Sequence, residues 1–280
     1  MGGRHSVSLL KELPDLNSVW CSINISPLRG FFDSLLKEAG RNQFYFRYPR
    51  VNAWARENST VRMTLIKICG ITNLEDARAA IEAGADMLGF NFYRPSPRFI
   101  EPSQAREIIG ELELELEHSP KAAMMVGVFV NEGSPEALVR IAEESGVYAA
   151  QLHGDESAEY CRTVKQTWRD GLLIIKALRV GANFDPQEIG TYEADAIMLD
   201  SFHTQLRGGS GQVIDWSIAR RARGVFPRLI LAGGLSPENV AKAIAEVQPF
   251  AVDACSSLES SPGRKDPERM KAFVRAVRSS

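Results

Sequence analysis

From Met63 onward the chain alternates short Val/Ile/Leu-rich runs with longer stretches in which apolar residues return every three or four positions. Short apolar runs bounded by turn residues read as buried strands, and the 3.6-residue period reads as amphipathic helix. The candidate strands are Leu65–Cys69, Met87–Phe92, Met124–Val130, Tyr148–Leu152, Leu172–Lys176, Ala196–Asp200, Arg228–Leu231 and Phe250–Val252. Between them lie candidate helices such as Leu74–Ala83, Ser103–Glu117, Pro135–Ser145, Ser157–Thr167 and Pro237–Val247. Asn73, Ser134 and Ser236 (ahead of Pro237) are good helix-capping residues at three of these starts. Strands that alternate with helices pair in parallel through right-handed crossovers. Eight of them within residues 63–280 predict an α/β fold, a single (β/α)8 TIM barrel. A doubly wound open sheet is the alternative, but the turn after the first strand lacks the Gly-x-Gly-x-x-Gly that a dinucleotide needs.

Residues 1–62 lack this rhythm beyond a short helical stretch around Phe31–Ala39. They hold nine Lys/Arg and five Asp/Glu, whereas the rest of the chain holds the remaining 24 basic and 30 acidic residues. The segment reads as a poorly structured N-terminal extension, disordered or not translated, with Met63 as the start; a targeting or partner-binding arm is the alternative. Residues 63–280 are then the catalytic barrel domain.

Charge and cysteine usage narrow the function. The net charge of -2 gives no basic field to recruit nucleic acid. No apolar run approaches the roughly 20 residues that cross a bilayer, so no membrane partner is expected. The four cysteines, Cys21, Cys69, Cys161 and Cys255, are scattered without a Cys-x-x-Cys pair, which argues against a zinc site and a disulfide framework. A cytoplasmic protein is expected.

Barrels of this kind collect chemistry at the C-terminal ends of their strands. The first predicted strand ends at Cys69, and alternation puts Lys67 on the same face, where a cation favours the thiolate. The second leads to Ser96-Pro97-Arg98, the fourth to His153, and the sixth ends at Asp200. Each has a duller explanation alone: a small buried thiol, a packed histidine, a capping or satisfied acid. Those explanations weaken when the residues fall on one rim. Three turns follow, Gly208-Gly209-Ser210-Gly211, Ala232-Gly233-Gly234-Leu235 and Cys255-Ser256-Ser257. Their backbone N–H groups suit an anion, so a substrate phosphate is expected there, held without lysine clamps or metal.

Taken in order, these motifs resemble the phosphoribosylanthranilate isomerase family of tryptophan biosynthesis. The resemblance rests on Lys67-Ile68-Cys69-Gly70-Ile71-Thr72, Gly89-Phe90, Ser96-Pro97-Arg98, Gly127-Val128-Phe129-Val130, Gln151-Leu152-His153-Gly154, Leu199-Asp200 and Val252-Asp253, with Glu259 to Asp266 completing it. It implies an Amadori rearrangement of N-(5-phosphoribosyl)anthranilate, with Cys69 as general base, Asp200 as general acid and no cofactor. It implies that Arg98 meets the anthranilate carboxylate and that Gly209, Gly234, Ser256 and Ser257 lie near the phosphate. Asp253 and His153 would contact the sugar or the ring. The partner is then a small phosphosugar, and the protein a monomer or homodimer. The family commonly has Ser-Gly-Val-Glu where this chain has Ser256-Ser257-Leu258-Glu259. A glycine at positive φ there would leave Ser257 strained; one that only donates its N–H would not. Two rivals are a histidine-pathway isomerase built on paired aspartates, which Cys69 disfavours, and a silent phosphosugar-binding barrel, which the pair Cys69 and Asp200 disfavours.

Overall fold

The wall of the molecule is a closed ring of parallel strands in chain order: β1 (Leu65–Cys69), β2 (Met87–Asn91), β3 (Met124–Phe129), β4 (Ala149–Leu152), β5 (Leu173–Val180), β6 (Ala196–Ser201), β7 (Leu229–Leu231) and β8 (Ala251–Ala254). β8 returns to pair with β1 and closes the ring. The computed structural model describes residues 63–116, 123–168, 173–181, 184–201 and 215–280. The predicted N-terminal extension and Gly209 lie outside the described residues. The predicted strands match the observed ones to within a residue or two, except at β5. β5 runs on to Val180 because Ala177, Leu178, Arg179 and Val180 continue the ladder opposite Met198 to Ser201. β8 runs on to Ala254, which pairs with Ile68.

The helices described around the ring are α1 (Leu74–Ala83), α2 (Pro102–Leu116), α3 (Pro135–Ser145), α4 (Ala158–Thr167), α5 (Trp216–Val225), α6 (Val240–Val247) and α7 (Pro267–Arg278). Asn73 and Ser134 cap α1 and α3 by accepting the backbone N–H of Asp76 and Ala137. The start predicted at Pro237 moves to Val240. There Asn239 folds back, accepting from the Ser236 N–H and donating to the Gly234 carbonyl, and this turn occupies the residues before the helix. Between β5 and β6 the described connection holds a 3₁₀ segment, Pro186–Thr191, begun by Asp185 accepting from the Gln187 N–H. α7 is absent from the predicted set although Met270, Phe273, Val274 and Val277 form its buried stripe. A short antiparallel hairpin, β9 (Glu259–Ser261) with β10 (Arg264–Lys265), follows β8.

Period-two alternation sorts each strand into two faces. Ile66, Ile68, Leu88, Phe90, Leu152, Ile197, Leu199 and Val252 pack outward in the core shared with the helices. The intervening residues face the barrel axis: Lys67 and Cys69 on β1, Gln151 on β4, Met198 and Asp200 on β6, and Asp253 on β8. The polar inward residues gather toward the C-terminal end, whereas Met87, Met124 and Ala196 fill the other. The apolar outer shell therefore supplies the stability, and the axis is left to hold chemistry.

Candidate active site

At the end of β1 the Cys69 side chain is nearly covered, with 8% of the residue exposed. It lies against Gly89 of β2, where a β-carbon would come within 2.7 Å of Cys69 Sγ and 3.1 Å of Lys67 Nζ. Only glycine leaves room there for both groups. Lys67 lies one step deeper on the same face, and its Nζ donates to Asp253 Oδ1 at 2.7 Å. The two are register partners on β1 and β8, which puts them side by side on the axis.

Several groups act on the Cys69 thiol. The Cys255 S–H donates to its sulfur, and the charges of Lys67 and Lys265 add to this. Against the opposing effect of burial, they hold its pKa well below the ordinary thiol value. Cys255 is pushed the other way by that same hydrogen bond and by burial. One sulfur is thus poised as the thiolate and its neighbour as the thiol.

Asp200, at the end of β6, faces His153 just beyond β4, with Nε2 and Oδ2 3.1 Å apart. His153 Nδ1 is 2.6 Å from the Gln151 amide nitrogen. With that amide donating to Nδ1, the imidazole hydrogen sits on Nε2 and points at the Asp200 carboxyl group. Asp253 is pushed up to about 6 by burial, an effect that Lys67 only partly offsets and that Cys69 adds to.

The hairpin β9–β10 carries two further groups into the site. Glu259 accepts from Arg98 Nε at 2.8 Å and Nη2 at 2.7 Å, a two-point clasp. It also accepts from Lys265 Nζ at 3.0 Å, and that ammonium donates to the Cys255 carbonyl at 3.2 Å. The hairpin is pinned by Thr72, whose hydroxyl donates to the Gly263 carbonyl, and by Asp76, which accepts the Lys265 N–H. Lys265, Glu259, Cys255 and Gln151 were absent from the predicted site. Gln151 lies two residues before His153 on one inward face, a spacing that could have flagged it. Nothing in the local sequence of a short polar hairpin signals that it folds back over β1.

Gly233 and Gly234 after β7 adopt φ of +85° and +69°. Ser256 and Ser257 open the 3₁₀ turn Ser256–Leu258 after β8. Ser257 is not among the positive-φ residues, so the strain expected of a serine at a glycine's position does not arise. Its hydroxyl instead donates to the Leu235 carbonyl and ties the two loops together.

What such a rim does best is move protons: a sulfur held as thiolate, a carboxyl facing an imidazole, and backbone turns open to an anion between them. The chain is a (β/α)8-barrel enzyme. Residues 66–276 match the family model of N-(5'phosphoribosyl)anthranilate (PRA) isomerase, and the chain belongs to that family, which serves tryptophan biosynthesis. It is 45% identical over 218 residues to the N-(5'-phosphoribosyl)anthranilate isomerase of Rubrobacter xylanophilus, covering 78% of this chain and all of that one. Its fold is similar to the crystal structure of the Thermotoga maritima phosphoribosyl anthranilate isomerase, with a TM-score of 0.68 and 41% identity over 78% of this chain and 100% of that chain. A phosphoribosyl anthranilate isomerase in complex with reduced 1-(o-carboxyphenylamino)-1-deoxyribulose 5-phosphate matches with a TM-score of 0.65 and 41% identity over the same shares. Among the described residues no helix is long and apolar enough to cross a membrane.

Proposed function

We propose that residues 63–280 convert N-(5'-phosphoribosyl)anthranilate to 1-(2-carboxyphenylamino)-1-deoxyribulose 5-phosphate by an Amadori rearrangement. Cys69 is the general base and Asp200 the general acid. The observation that carries this reading is the placement of Cys69, with the Lys67 ammonium beside it, on the same inward rim as Asp200.

The chemistry divides between those two groups. Asp200 gives a proton to the furanose ring oxygen, the bond from that oxygen to C1 breaks, and the anilino nitrogen forms an iminium with C1. The His153 Nε2–H then donates to the carboxylate that remains. The iminium acidifies the hydrogen on C2, and the Cys69 thiolate removes it to give the enolamine. The Cys69 thiol returns its proton at C1 and the enol proton passes to the Asp200 carboxylate, which completes the ketone at C2 and restores both groups. C1 is reduced and C2 oxidised within one molecule, so the reaction needs no outside electron carrier. Each transfer by a positioned side chain contributes roughly 10²–10⁴-fold.

The remaining residues hold the substrate. The Arg98 guanidinium meets the anthranilate carboxylate through the edge that Glu259 leaves open. Gly234, Ser256 and Ser257, with Gly209, take the phosphate through backbone N–H groups. Asp253 and His153 border the sugar and ring. Support comes from the match to a relative solved with a carboxylated, phosphorylated product analogue. Cys69→Ala and Asp200→Asn are each expected to lower kcat by about 10²-fold or more with KM nearly kept. Neither variant should restore growth without tryptophan to a cell lacking this isomerase. Near-normal turnover by either one overturns the assignment.

A further inference from the structure

Two thiols, rather than one, stand at the junction where the barrel closes. The β1–β8 ladder pairs Lys67 with Asp253 and Ile68 with Ala254, and Cys69 and Cys255 are the residues that follow this last pair. Neighbouring strands lie about 4.8 Å apart, within the roughly 4.4–6.8 Å that a disulfide requires between α-carbons. Cys69 projects from the inward face two residues after Lys67, and Cys255 is the first residue beyond β8. The two thiols are near enough that each is the largest influence on the other's ionisation. Cys255 Sγ also lies over Gly70, 2.9 Å from where a β-carbon would stand, so glycine leaves the space into which this sulfur reaches. Lys265 Nζ lies 3.8 Å from Cys255 Sγ and supplies positive charge on its other side. Both cysteines are free thiols, and Cys255 is partly exposed at the mouth.

We propose that Cys69 and Cys255 form a reversible disulfide on exposure to a hydroperoxide, and that this bond switches the enzyme off. The Cys69 thiolate attacks one peroxide oxygen, the O–O bond breaks, and Cys69 becomes a sulfenic acid as water or an alcohol departs. The Cys255 sulfur, losing its proton, then attacks the Cys69 sulfur, and the hydroxyl leaves as water. Two thiols are oxidised, one peroxide is reduced, and a dithiol reductant reverses the change. The sulfenic acid is condensed before a second peroxide can carry it irreversibly to the sulfinic acid. Formation of the bond rests on the geometry alone; the loss of activity rests on the reading of Cys69 as the base.

The test treats the full-length enzyme with hydrogen peroxide, maps its peptides by mass spectrometry under non-reducing conditions, and measures turnover before and after dithiothreitol. The expected result is a linked peptide joining Cys69 to Cys255, lighter by two hydrogens. With it, turnover should fall at least about tenfold and return on reduction. In Cys255→Ser, scored against its own untreated activity, the loss should become irreversible and Cys69 should appear as sulfinic acid. Sulfinic acid at Cys69 in the unsubstituted enzyme, with no linked peptide, overturns the proposed bond. A linked peptide with unchanged turnover upholds the bond but overturns the switch, and with it the role of Cys69 as base.

Discussion

Lys67 Nζ lies 2.7 Å from Asp253 Oδ1 with the lysine side chain wholly removed from solvent, one step below Cys69 on the barrel axis. Burial by itself disfavours this ammonium, yet Asp253 and the Cys69 sulfur outweigh it and hold the amine above its ordinary range. One cation therefore serves two acidic groups, Asp253 on β8 and Cys69 at the end of β1. A lone charge at that depth would be expensive, and its pairing is what makes it usable.

Replacing Lys67 by Met leaves Asp253 buried without its cation, a loss of about 3–5 kcal/mol when one partner of a buried pair is removed. Urea unfolding should show that loss, and Lys67→Met/Asp253→Asn should recover part of it. Activity separates the two roles of the lysine. The double variant should remain slow at neutral pH and gain rate as the pH rises, because its thiolate has lost the cation beneath it. A double variant with the original pH profile would confine Lys67 to structure.

The depressed Cys69 pKa sets the sign of a pH dependence. A thiol whose folded pKa lies below its unfolded value stays ionised as pH falls past the ordinary thiol range, and loses that charge only below its own pKa. The stabilisation that accompanies the shift is present above the unfolded value and is lost over the same descent. Iodoacetamide should therefore alkylate Cys69 at nearly the same rate at pH 7 as at pH 9. An ordinary thiol of pKa about 8.5 would react far more slowly at the lower pH. Cys255→Ala should move the Cys69 profile toward the ordinary one, since it removes the S–H that donates to the sulfur.

Gly89→Ala tests the fit of the thiol in its pocket. The added methyl would stand 2.7 Å from Cys69 Sγ and 3.0 Å from the Cys69 α-carbon, and backbone cannot swing aside as a long side chain can. Overpacking of this kind costs about 1–3 kcal/mol. We expect a modest fall in Tm and a kcat loss of at least about tenfold, because a small displacement of a reacting group is enough to lose that much. Unaltered turnover would show that the sulfur tolerates movement and is not held in a fixed attacking position.

The sequence displays the wall of this barrel plainly, because the outward face of each strand is buried under the helices and leaves short apolar runs between turns. The same alternation brings Cys69, Asp200 and Asp253 to the axis, since one side of each strand faces inward. Other features arise from closure. Lys67 and Asp253 are 186 residues apart in sequence and meet only because β8 returns to β1. The contact between Cys69 and Cys255 depends on the same return, as does the arrival of Lys265 over the mouth. The helix α7 is a different case: its apolar stripe is readable, but it is crowded with Arg and Lys residues that draw attention away from the period.

Arg98 makes a last distinction, between holding the hairpin and holding the substrate. Its bidentate pairing with Glu259 uses Nε and one terminal nitrogen, and the hydrogen bonds to Glu259 raise its affinity for its proton further. The opposite edge of the guanidinium stays available to a second carboxylate. Arg98→Lys keeps the charge but replaces the fork by a point donor, which cannot face two carboxylates with fixed geometry. Hydrogen bonds between charged groups contribute about 1.5–3 kcal/mol, so losing the substrate's share should raise KM by roughly 10–100-fold while kcat changes little. If Arg98 served only to anchor Glu259, the variant would unfold at a lower temperature with KM unchanged. Glu259→Gln supplies the converse: it strips an anion from both Arg98 and Lys265, so it should lower Tm while sparing the guanidinium edge that Glu259 leaves open. A rise in KM for Arg98→Lys that Glu259→Gln does not share would place the arginine on the substrate.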